Sequence, residues 1–199
     1  MEKLTKGQRR KAEILNIART LLVEDGYDAF VLRTIAAKAD MKLGNLQFYF
    51  ATKELLLEEV IKIEAQRELA TVATALESES KPERKLQQFC HCMIKTWRGS
   101  SGRIFTLMLF FTYQNANIRA LNHDIYHNFY EFLIPIISAL DPGKRKPTYL
   151  QRAQLITALI DGAPQQLVAT GQQNSFLKNG TIHEAFTSLL FVVFYSSWL

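Results

Sequence analysis

The stretch KLGNLQFYFATKELL, residues 42–56, decides the fold because it fits either a strand or a short helix. In a strand, Leu46, Phe48 and Phe50 would share one face. In a helix, at about 100° per residue, Leu46 and Phe50 stack four residues apart and face inward, whereas Phe48 points away from them. No other stretch has a clear strand pattern, and a lone strand cannot satisfy its own backbone. We therefore predict a helix, and its outward aromatic face requires an explanation.

Helical periodicity dominates the rest of the chain. An apolar stripe over residues 14–22 ends before Gly26, a usual residue just past a helix C-terminus. Further helices are predicted at residues 32–39, 53–76, 82–98, 103–114, 118–140, 148–171 and 181–198. The pattern predicts an all-α protein of about nine helices.

The 199-residue chain is long enough for one or two domains with a real core. Its composition, 48% hydrophobic and 22% charged, is typical of a globular protein. Residues 1–53 carry ten Lys or Arg and six Asp or Glu, whereas residues 54–199 carry fourteen and thirteen. A compact basic segment indicates a nucleic-acid partner, although a solvated charged face has the same composition.

Neither end of the sequence predicts membrane insertion. The segment MEKLTKGQRRKAEIL lacks the apolar core of a signal peptide, and EAFTSLLFVVFYSSWL is shorter than the roughly 20 residues a span needs. The two cysteines, Cys90 and Cys92, would point about 200° apart on a helix, which argues against a disulfide. We expect a cytoplasmic protein with no membrane partner and no cofactor.

The first quarter of the chain has the pattern of a helix-turn-helix: a long helix, a short helix, a tight turn, a short helix and a lysine at the next helix start. The string GYDAFVLRTIAAKADMKLGNLQFYFATKELL, residues 26–56, resembles the TetR/AcrR family of bacterial transcriptional regulators. Within it, IAAKA resembles the family's second helix, and GNLQFYFATKELL its recognition helix and the start of the next. The remaining three quarters resemble the family only in helix layout. The resemblance implies a DNA-binding domain at residues 1–52 and a larger helical domain for effector binding and dimerisation at residues 53–199.

Three residues depart from the family pattern. Asp40 stands where a turn glycine is common, so we expect it to adopt a left-handed conformation, which Asp tolerates better than most residues. Val31 and Lys42 replace capping side chains at two helix starts, and Lys42 adds a cation near phosphate.

A helix can enter the DNA major groove and bring its N-terminal residues to the base edges. Asn45 and Gln47 can hydrogen-bond bases, and Gly44 allows close backbone approach. An outward Phe48 can pack on a thymine methyl group. The alternative is that Phe48 packs on a neighbouring helix of the protein.

The resemblance implies further DNA contacts. Arg33 reaches a base or a phosphate, and Tyr49 and Lys53 match positions that usually hold phosphates. A basic arm adds phosphate or minor-groove contacts, or is disordered; its residues are Lys3, Lys6, Arg9, Arg10 and Lys11. The predicted DNA-binding set is Arg33, Lys42, Leu43, Gly44, Asn45, Gln47, Phe48, Tyr49 and Lys53.

The aromatic residues between positions 89 and 130 either fill a core or line an effector pocket. The resemblance implies a pocket, which would be mainly apolar with a few polar groups. Its predicted apolar and aromatic lining is Phe89, Met93, Trp97, Phe105, Met108, Tyr126 and Tyr130. Its predicted polar groups are Thr96, Tyr113, Asp161 and Gln165. No basic cluster occurs in this region, so the effector is predicted to be small and mainly apolar rather than anionic.

The sequence also bears on two further kinds of site, a metal site and an enzyme active site. His123 and His127 have a spacing that can hold a metal, but no Glu follows His123 directly, and we predict no metal site. No set of acid, base and nucleophile is present, so we predict no enzymatic activity.

The resemblance also implies a homodimer formed through the last two helices. The candidate interface residues are Leu155, Leu159, Phe186, Leu190, Val193 and Phe194. The predicted function is a ligand-responsive repressor that binds a palindromic double-stranded DNA operator as a homodimer and is released by a small effector. The alternatives are a constitutive or protein-regulated DNA binder with a packed core, and a helical protein that binds a small molecule or metal but no operator.

Overall fold

A computed structural model describes residues 5–169 of the protein, with side chains as far as residue 162. These residues form nine helices and no strand. The helices are α1 Lys6–Glu24, α2 Gly26–Ala29, α3 Leu32–Lys38, α4 Leu43–Tyr49, α5 Lys53–Glu77, α6 Pro82–Arg98, α7 Ser100–Thr112, α8 Ala116–Leu140 and α9 Lys146–Ala169. The all-α prediction is confirmed. The four-residue α2 is absent from the predicted pattern, and the predicted helix at residues 181–198 lies outside the described residues.

Helix α1 begins and ends on strong local signals. The Thr5 hydroxyl accepts from the Gln8 backbone N–H at 3.2 Å, and the Gln8 side chain accepts from the Thr5 N–H at 2.8 Å, which is a complete capping box. At the other end, Gly26 has a φ of 81°, a left-handed conformation that glycine adopts without a Cβ penalty. The helix therefore ends where the sequence predicts.

The described residues divide into two compact units. The first unit comprises residues 5–67 and 100–122, and the second comprises residues 68–99 and 123–169. Both units are defined by contacts within the fold. The predicted boundary at residue 52 divides the chain by function and stays a prediction.

In the first unit, α1 packs against α2, α3 and α7, and α3 packs against α4. Its fully buried apolar side chains include Ile14, Leu21, Phe30, Ile35, Leu46, Leu56, Ile61 and Ile104. In the second unit, α6 packs against α9. Its buried side chains include Val72, Leu86, Phe89, Phe129, Leu133 and Ile156. Burial of these apolar stripes stabilises each helix far more than its intrinsic propensity does.

Glu64 is a buried carboxylate, only 2% exposed, inside the first unit. The Arg19 guanidinium of α1 donates to both of its oxygens at 2.7 Å, and the Ser101 hydroxyl of α7 donates at 2.6 Å. Arg67 adds an ion pair at 3.6 Å. Burial raises the pKa of Glu64, but the hydrogen bonds and positive charges outweigh it and lower the pKa below its ordinary value. An ionised carboxylate therefore joins α1, α5 and α7.

Glu64→Gln should reduce the free energy of unfolding at pH 7 by about 1.5–3 kcal/mol, because a charged acceptor is lost beside a largely buried guanidinium. The folded pKa of Glu64 is lowered, so its contribution is complete well above 4.5 and is lost as the pH falls through the folded pKa. The difference in the free energy of unfolding between wild type and variant should therefore become smaller below pH 4.5. Urea unfolding across that range measures it.

Glu59→Gln is the matched control on the same helix. Glu59 pairs with Lys11 at 2.9 Å, but both side chains are at least one-third exposed. Its loss should cost less than about 1 kcal/mol. A Glu64→Gln effect no larger than that of the control, or one that does not change with pH, would contradict the role of the network.

Candidate nucleic-acid interface

Helix α4 has one buried face and one exposed face. Leu46 is fully buried, and Phe50, the residue just past the helix, is also buried. Phe48 is 86% exposed, and its ring contacts that of Tyr49 edge-on, with 5.7 Å between centroids. The prediction that Leu46 and Phe50 face inward is confirmed. The alternative that Phe48 packs on a neighbouring helix is wrong, because the ring is exposed.

The turn between α3 and α4 is built around Asp40, which has a φ of 48°. The Met41 N–H donates to the Ala36 carbonyl at 3.0 Å, and the Asp40 N–H donates to the Ala37 carbonyl at 3.1 Å. This pair of bonds is a Schellman motif, which requires a left-handed residue where Asp40 stands. The predicted conformation of Asp40 is confirmed. The predicted loss of side-chain caps is also confirmed, since neither Val31 nor Lys42 makes a capping bond.

Arg10 connects this turn to α1. Its guanidinium donates to the Ala39 carbonyl at 2.6 Å and, more weakly, to the Asp40 carbonyl at 3.4 Å. The same guanidinium pairs with Glu13 at 2.6 Å. The sequence suggested Arg10 only as part of a basic arm. Its contact with a carbonyl 29 residues away has no sequence signal.

The other basic residues of the predicted arm fall in different places. Lys6, Arg9 and Lys11 lie within α1, so they are helical and not disordered. Lys11 pairs with Glu59 at 2.9 Å. Lys3 lies outside the described residues.

An open groove of about 1200 Å³ runs between the start of α1 and α4. Its lining includes four basic residues and the exposed side of α4, and consists of Lys6, Gly7, Arg9, Arg10, Glu13, Ala37, Asp40, Met41, Lys42, Asn45, Phe48 and Tyr49. The groove therefore brings together four of the predicted DNA-binding residues, Lys42, Asn45, Phe48 and Tyr49.

The remaining predicted DNA contacts do not line this groove but belong to the same unit. Arg33, Gly44 and Gln47 are exposed, and Leu43 is half-buried. A Cβ added to Gly44 would meet no atom within 4 Å, so the protein's own packing does not require glycine there. The absence of a side chain leaves the backbone of α4 accessible to a partner.

Lys53 is half-buried at the first residue of α5. Its ammonium lies 3.6 Å from the centre of the Tyr27 ring and donates to the Tyr27 carbonyl at 3.3 Å. A cation over an aromatic face is stabilised by the ring's quadrupole. Burial, and to a lesser extent the charge of Glu54, raises the pKa of Tyr27. Sequence analysis missed Tyr27, whose position 26 residues before Lys53 has no periodic signature.

The predicted effector residues are distributed over both units. Phe105 and Met108 are buried in the first unit, whereas Phe89 and Met93 are buried in the second. Tyr113 is 87% exposed, so its predicted place in an enclosed pocket is wrong. It follows Thr112, the last residue of α7, where the chain leaves the helix.

The polar candidates in the second unit form two hydrogen-bonded groups. The buried Thr96 hydroxyl donates to Glu68 at 2.5 Å. The Trp97 indole N–H donates to one oxygen of Asp161 at 2.9 Å, and the Tyr126 hydroxyl donates to the other. Burial raises the pKa of Asp161, although these two bonds oppose the rise.

The side chain of Gln165 lies outside the described residues. Tyr130 is half-buried, and its ring stacks on that of Tyr126 at 6.2 Å. The structure thus brings Trp97, Tyr126, Tyr130 and Asp161 together from α6, α8 and α9.

The predicted dimer residues are only partly described. On α9, Leu155 is half-buried and Leu159 is 40% exposed. Phe186, Leu190, Val193 and Phe194 lie outside the described residues. His123 and His127 are both exposed on α8. Within residues 5–169, no helix is both long and apolar enough to cross a bilayer.

Comparison with known proteins finds a family match for the helix-turn-helix part of the chain. Residues 14–60 match the family described as bacterial regulatory proteins, tetR family. This match contains the Asp40 turn, the whole of α4 and the start of α5.

Two curated relatives each match about a third of the chain. An HTH-type transcriptional regulator in the dhlA 5′ region of Xanthobacter autotrophicus is 40% identical over 67 residues, 33% of each chain. The HTH-type transcriptional regulator QacR of Staphylococcus aureus is 35% identical over 57 residues, 29% of this chain and 30% of QacR. Both matches span about a third of the length of the curated relatives.

The fold is shared over nearly the whole length with a transcriptional regulator from Rhodococcus sp. Rha1 of known structure. The TM-score is 0.77, the identity is 14%, and the likeness covers 92% of this chain and 95% of that one. Sequence match and turn geometry agree over residues 14–60, and this helix-turn-helix part of the chain belongs to the TetR family of bacterial regulatory proteins.

Proposed function

We propose that the protein is a repressor that binds a palindromic DNA operator as a homodimer and is released by a small, mainly apolar effector. Its site of action is the cytoplasm, where the operator DNA lies. The observation that carries the proposal is the division of α4 into a buried face, which holds the helix, and an exposed face of residues suited to base contacts.

The exposed face of α4 has the chemistry of base readout. Asn45 and Gln47 are exposed amides, and an amide can pair with adenine through two hydrogen bonds. Between them in space, Phe48 exposes an apolar ring that no element of the first unit covers. A ring left in water at this position is unfavourable unless a partner covers it, and a thymine methyl group is an apolar partner in the major groove.

Cations flank that face and can meet the phosphates. Lys42 is exposed at the N-cap of α4, and Lys6 and Arg9 line the same groove from α1. The N-terminus of a helix also favours an anion, because its backbone N–H groups are unpaired. Cations around readout residues match the usual division between phosphate contacts that position a helix and base contacts that specify sequence.

Enrichment of random DNA duplexes by the purified full-length protein tests the proposal directly. We expect a two-fold symmetric sequence whose half-sites lie about one helical turn, roughly 34–36 Å, apart. Enrichment without symmetry would contradict the homodimer. No enrichment above that of a non-specific basic protein would contradict operator binding itself.

Asn45→Ala and Gln47→Ala should each relax base preference at one position of the selected site. A bidentate base contact carries about 1–3 kcal/mol of discrimination, which the truncated side chain cannot supply. The measurement compares affinities for the selected duplex and for duplexes changed at one base pair.

Lys42→Gln is the contrasting variant. It should weaken binding to all sequences alike and reduce the salt-dependence slope by about one, because a phosphate contact has charge but no sequence information. Lys53 gives a less direct test, since its ammonium also bonds to Tyr27. Unchanged base preference in both amide variants would show that α4 does not read bases.

Phe48 should contact a thymine methyl group. Replacing that thymine by deoxyuridine removes one methyl group, and wild-type affinity should fall about fourfold, corresponding to roughly 0.8 kcal/mol. Phe48→Ala should bind both duplexes equally. Testing each thymine of the selected site in turn identifies the contact. If the thymine replacements change the affinities of the wild type and of Phe48→Ala equally at every position, Phe48 does not contact a thymine methyl group.

The exposed part of α9 supports dimerisation. Leu159→Glu should produce monomers that lose operator binding, because a monomer contacts only one half-site. Leu150→Glu is the control, since Leu150 is similarly exposed, at 38%, and lies nine residues earlier, on the opposite side of the helix. Sedimentation at low concentration distinguishes the two. If both variants remain dimeric, Leu159 does not lie in the dimer interface.

A further inference from the structure

The cluster of Trp97, Tyr126, Tyr130 and Asp161 contains a carboxylate that pairs with no cation of the described residues. Its two hydrogen bonds come from an indole N–H and a phenol O–H, which are both neutral. Among the residues that the structure describes, no Lys, Arg or His forms an ion pair with Asp161. By contrast, the buried Glu64 has two arginines. Within the described part of the chain, the negative charge of Asp161 therefore has no balancing positive charge, and the side chain is partly buried.

Neutral donors stabilise such a charge only in part. A carboxylate offers about four acceptor positions, and the two donors occupy one on each oxygen. Removing a carboxylate from water costs several kcal/mol unless a charge of opposite sign accompanies it. Burial raises the pKa of Asp161 despite both bonds. The two neutral donors therefore do not fully offset the cost of removing the carboxylate from water.

The aromatic rings beside Asp161 are suited to the same kind of ligand. The Tyr126 and Tyr130 rings stack at 6.2 Å with 29° between their planes, four residues apart on α8. All four side chains of the cluster are half-buried, so each retains accessible surface. The face of a tyrosine ring attracts a cation, and it also accepts an apolar body by contact.

We infer that the Asp161 cluster binds an apolar organic cation, whose positive charge pairs with Asp161 and whose body lies against the Tyr126 and Tyr130 rings. This inference rests on the proposed function, because it names the chemical class of the effector. The predicted effector is mainly apolar, and the cluster adds one positive charge to that description.

The test uses two probes of the same shape that differ in charge. Benzyltrimethylammonium is a cation, and neopentylbenzene is its neutral counterpart, with carbon in place of nitrogen. Calorimetric titration of the full-length protein should show tighter binding of the cation, by about tenfold or more. Benzoate, an anion, should bind more weakly than either.

Asp161→Asn removes the charge and retains an acceptor for the Trp97 indole. It should abolish the preference for the cation while leaving the affinity for neopentylbenzene unchanged. Asp124→Asn, at an exposed carboxylate on α8, is the matched control and should keep the preference. Tyr130→Leu retains an apolar side chain without a ring, and should weaken cation binding about 3- to 30-fold.

The outcomes separate this inference from the proposed function. Equal binding of the cation and its neutral counterpart, a preference that survives Asp161→Asn, or no binding of the cation to the wild type would each overturn the inference. If the selected operator is still bound and is released by the neutral probe, the proposed function stands while the inference fails. If no operator is selected, the proposed function fails whatever the probes show.

Discussion

The burial of Leu46 determines which face of α4 is exposed on the surface of the first unit. Leu46 is fully buried, so α4 cannot rotate about its axis without exposing it, and this fixes Phe48 on the outside. Removing a buried leucine side chain from its site costs about 2–5 kcal/mol, and this offsets the roughly 1.5–3 kcal/mol gained by covering one exposed ring. The exposed face of α4 is therefore a consequence of its buried face.

The turn before α4 also fixes the rotation of this helix about its axis. Asp40 holds the left-handed position, and Arg10 binds the carbonyl of Ala39 on the same turn. A short helix with seven residues has little stability of its own, so it depends on the contacts at its two ends. A buried anchor, a defined turn and an arginine from α1 together give the helix one orientation, as a recognition helix requires if its contacts are to specify sequence.

The buried Glu64 and the half-buried Asp161 are stabilised in opposite ways. Glu64 is surrounded by positive charge and its pKa is lowered, so it contributes to the stability of the first unit. Asp161 has neutral donors, and its pKa is raised by burial. A charged group that is kept at a cost to stability is a candidate for binding, because a ligand can supply what the fold does not. The comparison between the two carboxylates is the physical basis for assigning a cationic ligand to the second unit.

The described helices other than α2, the inward and outward faces of α4 and the left-handed residue at the turn were all predictable from the sequence. These features depend on side chains three or four positions apart and on the backbone preferences of single residues, which a linear pattern records. The tertiary structure alone decided that Arg10 holds the turn, that Lys53 lies over Tyr27, that Tyr113 is exposed and that Trp97, Tyr126 and Asp161 meet. These contacts join residues 26 to 64 positions apart, and such pairs are brought together by the packing of helices, which has no local period in the sequence.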